Sequence, residues 1–235
     1  MRIKIIIILL CLVLFTGCSN LVNTEPKQSN NIENLKKYDL LISNLKTNNG
    51  EIELKVGPLN DTKDIFTGIV VSYNNIDKLY DWQNSTNETY KPIIYFEDIT
   101  NDGINEIIIN TTLGYGTGLI INKIHVLNSK DLNEYKVENI NNYIKKYIKT
   151  NIEDTLTISI KDKTQQINID NIKNKVSLYK EAYLENYITY EVINNKIVAN
   201  AAVQISDTDF LGSLVFEYDF VDNGFDILNV YYKNY

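Results

Sequence analysis

Residues 98–106 read Asp-Ile-Thr-Asn-Asp-Gly-Ile-Asn-Glu. Counted from Asp98, side-chain oxygens fall at positions 1, 3, 5 and 9, and glycine falls at position 6. Calcium is a hard cation that takes several oxygen ligands at about 2.3–2.6 Å. A chain wrapping around an ion presents alternate residues to it, hence a spacing of two. Glycine permits the sharp turn that brings later ligands back. The pattern assigns side-chain ligands to Asp98, Thr100, Asp102 and Glu106, and a backbone carbonyl to Ile104. It is not a helix–loop–helix calcium site, because position 12 is Ile109 where a bidentate acid is required. The competing expectation is a plain hairpin that turns on Asn101-Asp102-Gly103.

Other residues offer weaker chemistry. Gly114-Tyr115-Gly116-Thr117-Gly118 is glycine-rich, but no basic residue lies in it and the apolar run Leu119-Ile120-Ile121 follows. A phosphate cradle opens a helix and often carries lysine, so this segment reads as a tip between two strands. Tyr115 on that tip is a candidate ligand contact. His125 is the only histidine. Flanked by Ile124 and Val126, it reads as a structural residue of a strand. One histidine without a free thiol does not build a typical zinc site, and no serine sits in a GxSxG elbow.

The elements around these residues are mostly strands. Ile52, Leu54 and Val56 alternate with Glu51, Glu53 and Lys55, a strand with one buried face. Residues 67–73 and 76–82 flank Asn74-Asn75, a two-residue hairpin turn. The same logic pairs 187–193 with 196–205 across Asn194-Asn195, and 155–160 with 165–169 across Lys161-Asp162-Lys163. It also pairs 214–221 with 225–232 across Asn223-Gly224. Residues 84–90 read as a polar loop, and 92–97, 106–111 and 118–127 as strands. Residues 35–48 suit either a helix face or a strand. One clear helix is expected near 139–149, where Ile140, Tyr143, Ile144, Tyr147 and Ile148 share a face. The expected fold class is α+β, mostly antiparallel β hairpins, in a single domain over 35–235.

The N-terminus carries an address. Arg2 and Lys4 precede the apolar run 5–15, which ends in Thr16-Gly17-Cys18. Basic, apolar, then small is the layout of an export signal, and the run is shorter than the roughly 20 residues of a transmembrane helix. Leu14-Phe15-Thr16-Gly17-Cys18 resembles the lipobox of bacterial lipoproteins, with Phe15 where leucine is usual. That resemblance implies a signal peptide over 1–17, lipidation of Cys18 and an anchor on the outer face of the cell membrane. Residues 18–34, polar and containing Pro26, read as the lipidated tether.

Cleavage would remove Arg2 and Lys4 from the 23 basic residues, leaving 21 against 30 acidic ones, a balance of −9. Such a surface disfavours nucleic acid, whose affinity comes largely from Lys and Arg on phosphates. The chain has two cysteines. Cys11 would leave with the signal and Cys18 would carry lipid, so no disulfide is expected to brace the domain.

The 98–106 segment, opening an apolar β run, resembles the calcium loops of FG-GAP and VCBS repeat proteins, with Thr100 where those families have Asp or Asn. One motif is present, and a propeller needs at least about four blades, so the resemblance covers the loop alone. The fuller chain also resembles lipoproteins of low-GC Gram-positive bacteria, which implies surface display. Together these readings lead to an expectation of a non-catalytic binding or envelope protein with a structural calcium loop. Its partner would be a cell-wall polymer or an envelope protein. The rival is an extracytoplasmic hydrolase acting on envelope sugars with two carboxylates.

Overall fold

The computed structural model describes residues 35–58, 64–170 and 177–234. The expected signal peptide, Cys11, Cys18 and the tether lie outside the described residues. The described residues form one compact unit, and strands dominate it.

The first sheet is a meander of four antiparallel strands, β1 (Leu40–Thr47), β2 (Gly50–Val56), β3 (Ile65–Tyr73) and β4 (Ile76–Ser85). The ambiguous 35–48 segment therefore resolves as strand from Leu40. Ile52, Leu54 and Val56 are buried as their alternation requires. Asn74 and Asn75 both take positive φ, 49° and 63°, the geometry of a hairpin turn whose twist matches its strands.

The second sheet has eight strands. β6 (Glu106–Gly116) runs antiparallel to both of its neighbours, β5 (Ile93–Glu97) and β7 (Leu119–Leu127). β8 (Glu134–Val137) follows β7, and helix α1 (Ile140–Tyr147) follows β8. Asn139 caps α1, its side chain accepting from the Asn142 N–H at 3.1 Å, and Ile140, Tyr143 and Ile144 face the core. The small sheet of β9 (Ile148–Ile152), β10 (Thr155–Ile160) and β11 (Lys163–Asn168) comes next. The chain then returns to the large sheet as β12 (Tyr187–Ile193), β13 (Lys196–Gln204), β14 (Phe210–Val221) and β15 (Gly224–Lys233).

Two parallel contacts shape this sheet. Gly224 and Phe225 of β15 pair with Lys136 and Val137 of β8. Tyr187 and Ile188 of β12 pair with Ile120 and Ile121 of β7. The order β7-β12-β13-β14-β15-β8 therefore closes on itself through β7, a ring of six strands. Closure gives β12 a partner at what would otherwise be an open sheet edge, and β5 remains the end strand of the sheet. The last hairpin turns on Asp222-Asn223, with φ of 47° and 63°, one residue earlier than the expected Asn223-Gly224. Gly224 is instead a strand residue, and the reason is space. A Cβ there would lie 2.9 Å from the Lys136 carbonyl oxygen.

Residues 106–112 of β6 are all buried, because a core covers each face. Ile107 and Ile109 point with Leu127 to the first sheet, joining Leu54, Val71 and Trp82. Ile108 points the other way with Ile124 and Val126, joining the ring interior of Phe216, Tyr218 and Ile227, the α1 face, and Leu156 and Ile158 of the small sheet. The 98–106 loop hangs from the end of β6 where these two cores meet.

Candidate functional site

β5 and β6 form a hairpin whose last residue pair is Glu97 with Glu106, and residues 98–105 form its loop. Asn101 and Gly103 take left-handed φ values of 60° and 85°. No atom lies within 4 Å of a Cβ built on Gly103, so glycine serves the backbone turn rather than a tight fit. Ile99 is 4% exposed and packs into the main core, which pins one side of the loop.

The loop's carboxylates are turned onto its own backbone. Asp98 accepts from the Asp102 N–H at 3.2 Å through Oδ1 and from the Gly103 N–H at 2.9 Å through Oδ2. Asp102 Oδ1 accepts from the Ile104 N–H at 2.8 Å. Glu106 is 1% exposed. Its Oε2 accepts from the N–H groups of Ile99, at 3.0 Å, and Thr100, at 3.2 Å. The Thr100 hydroxyl donates to its Oε1 at 3.4 Å. Asn105 Nδ2 donates to the Phe96 carbonyl at 3.0 Å and closes the hairpin. Burial pushes the Glu106 carboxyl above its ordinary range, the bonds from Ile99 and Thr100 oppose that shift, and the charges of Asp102 and Asp98 add to it.

Of the five expected ligands, the structure joins Thr100 to Glu106 through hydrogen bonds and holds Asp98 and Asp102 on neighbouring N–H groups of the same loop. Ile104 lines an open cavity of about 410 Å³ with Gly103, Asn105, Phe96 and Tyr73. Among the described residues, no three His, Cys, Asp or Glu side chains converge as a ready-made metal site. The oxygen donors that are present suit a hard cation. A carboxylate oxygen accepting one N–H bond keeps a second lone pair for a ligand.

Tyr115 lies at the far end of β6, 38% exposed. Its ring stacks on Tyr90 at 4.4 Å between centroids and 24° between planes. Tyr90 belongs to a single 3-10 turn, Glu88–Tyr90, within what the sequence suggested was plain polar loop.

His125 is 1% exposed and is a structural residue of β7, facing the first sheet's core. Its Nδ1 is 2.8 Å from Glu134 Oε1. Its ring stacks on Trp82 at 3.9 Å, and Trp82 stacks on Tyr80 at 4.0 Å. Burial holds the imidazole below its ordinary value, opposed by Glu134. Glu134 carried no sequence signal, because β8 is a strand of only four residues. Elsewhere, Glu181 and Glu185 line one cavity of about 490 Å³ with Lys145 and Lys149. Glu185 stands 3.7 Å from the Lys145 ammonium, which makes it half of an ion pair.

No family model matches the chain, and neither curated proteins nor solved structures yield a match. Among the described residues, no helix is long and apolar enough to cross a membrane.

Proposed function

We propose that the chain is a membrane-anchored, extracytoplasmic lipoprotein that binds rather than catalyses, with calcium stabilising its β5–β6 hairpin. In this reading the lipid on Cys18 holds the domain at the outer face of the cell membrane. Two or three acyl chains suffice for a firm anchor, since each buried CH₂ contributes about 0.8 kcal/mol and one chain alone is marginal. The partner is a cell-wall polymer or an envelope protein, not nucleic acid.

The observation that carries the calcium part is the wrapped backbone of the loop. Asn101 and Gly103 in left-handed conformation, with Asp98 bonded to the Asp102 and Gly103 N–H groups, bend the chain back over its first acid. Asp98, Thr100, Asp102 and Glu106 would supply side-chain oxygens to the ion, and Ile104 its carbonyl. The ion would offset the repulsion among the three carboxylates and tie β5 to β6. Calcium is present at millimolar levels outside cells, enough to fill a site of modest affinity.

Two measurements test the reading. The intact mass of the mature protein should show acyl chains on an N-terminal Cys18, and an unlipidated N-terminus would reduce the anchor to secretion. Titration calorimetry should show one calcium site in the wild type and none in the Asp98→Ala, Asp102→Ala double variant. A calcium response that survives the double variant contradicts the site.

A further inference from the structure

A second cleft, bounded by β1, the Glu88–Tyr90 turn and strands β5, β6, β7 and β12, carries an inference that rests on the reading of this chain as an extracytoplasmic binding protein. The cleft has a volume of about 500 Å³ and is lined by Tyr90, Thr112, Asn122 and Thr189, with Ser43 and Asn44 of β1 at one wall. Volumes of about 300–1,000 Å³ are usual for small-molecule sites.

The walls are fixed before any ligand arrives. Asn84 is 1% exposed and bridges two of them. Its Oδ1 accepts from the Thr112 N–H at 2.8 Å, and its Nδ2 donates to the Tyr90 carbonyl at 3.1 Å. Tyr115 stacks on the Tyr90 ring and steadies it from one side. The lining groups named above are hydroxyls and amides. The charged residues of the lining, Glu88 and Lys91, are both exposed and cancel in sign.

One acceptor of the cleft wall is buried without a partner. Asn122 Oδ1 belongs to a residue of the cleft wall, and no hydrogen bond reaches it. A buried unpaired acceptor costs about 1–3 kcal/mol; Asn122 as a whole is only part-buried, so a turn of its amide toward the cleft relieves that cost with a ligand that donates. Carboxylate and phosphate groups bring only acceptors. An isolated cation would meet a lining with no net charge. Sugar hydroxyls donate and accept, and the C–H face of a sugar ring packs on an aromatic face. Tyrosine, with an apolar ring and a polar tip, suits such a mixed surface.

We infer that the cleft of Tyr90, Thr112, Asn122 and Thr189 is a binding site for a neutral saccharide, with the stacked Tyr90 and Tyr115 rings as its platform and Asn122 Oδ1 as a hydroxyl acceptor. The site deepens the proposed function by giving the partner a chemical class.

The test uses the full chain in a zwitterionic detergent without sugar headgroups, titrated by calorimetry with an N-acetylglucosamine tetramer and with maltotetraose. Saturable binding of at least one is expected. Tyr90→Ala and Asn122→Leu should each weaken it by about tenfold or more, a loss of about 1.4 kcal/mol. Tyr115→Ala changes an exposed side chain, keeps the test open if Asn122→Leu misfolds, and should weaken binding as well. Tyr183→Ala, at another exposed tyrosine outside the cleft, should leave binding unchanged. Failure of both saccharides to bind overturns the inference, as does undiminished binding by the Tyr90 and Tyr115 variants. Binding of an extended tetrapeptide in place of either saccharide overturns it too. The calcium response of the same samples separates this outcome from failure of the calcium loop.

Discussion

Replacing Glu106 should cost more stability than its place at the edge of a loop suggests. The side chain is 1% exposed, and its Oε2 satisfies the backbone N–H groups of Ile99 and Thr100. Glu106→Ala leaves both donors without an acceptor. Each buried unmade bond costs about 1–3 kcal/mol. The Ile99 N–H sits beside a core side chain and bears the full cost, whereas the Thr100 N–H is only part-buried and partly recovers through water. Relief of the buried carboxylate's own desolvation offsets some of the loss. The net expectation is a loss of about 2–4 kcal/mol for Glu106→Ala. Glu106→Gln keeps one acceptor oxygen but not its charge, and should lose about 1–2 kcal/mol. Urea unfolding measures both, followed by the fluorescence of Trp82, the only tryptophan, which is 4% exposed. If both variants lie within about 0.5 kcal/mol of the wild type, inside the usual range of surface substitutions, Glu106 does not organise the loop as described.

Two further predictions concern other parts of the fold. His125 is held below its ordinary value by burial, with Glu134, Lys123 and Asp81 as the charged groups around it. The unfolded chain then takes up the proton first, so this contribution to stability is full above about pH 6.5 and declines as the pH falls toward the folded value. The melting temperature of the wild type should therefore drop more between pH 7 and 5 than that of His125→Gln, and parallel pH profiles would refute the assignment. Gly212 has φ of 118°, and a Cβ there would lie 2.4 Å from the Lys233 carbonyl oxygen. Gly212→Ala should destabilise the β14–β15 pair by about 2–4 kcal/mol in urea unfolding, and a neutral result would contradict the backbone path there.

The hairpins were legible because their turns are local chemistry. Asn74-Asn75 and Asn194-Asn195 supply the positive φ that two-residue turns demand, and alternation in β2 announced its buried face. The helix announced itself through a face of Ile140, Tyr143 and Ile144. What stayed hidden depends on residues far apart in the chain. β8 and β9 have 4 and 5 residues, too short for a period to show. The parallel contacts that close the ring, Tyr187 with Ile120 and Gly224 with Lys136, join segments that share no turn. The shift of the last turn to Asp222-Asn223 has the same origin, since Gly224 is needed where β8 passes. The oxygens of the 98–106 loop were visible as a spacing. That Glu106 is buried and serves the Ile99 and Thr100 N–H groups was not, because that follows from two cores meeting at β6. The saccharide cleft gave the least signal. Its walls come from β1, the Glu88–Tyr90 turn, β5, β6, β7 and β12, and only Tyr115, stacked on Tyr90, stood out in the sequence.

The most direct test of the calcium-stabilised hairpin is the melting temperature of the full chain in 10 mM calcium against the same buffer with chelator. A site with a dissociation constant of about 0.1–1 mM adds about 1.4–2.7 kcal/mol at that concentration. For a domain of this size that is a rise of roughly 3–10 °C. The account predicts that rise in the wild type and its absence in the Asp98→Ala, Asp102→Ala variant. Equal melting temperatures with and without calcium in the wild type would contradict it.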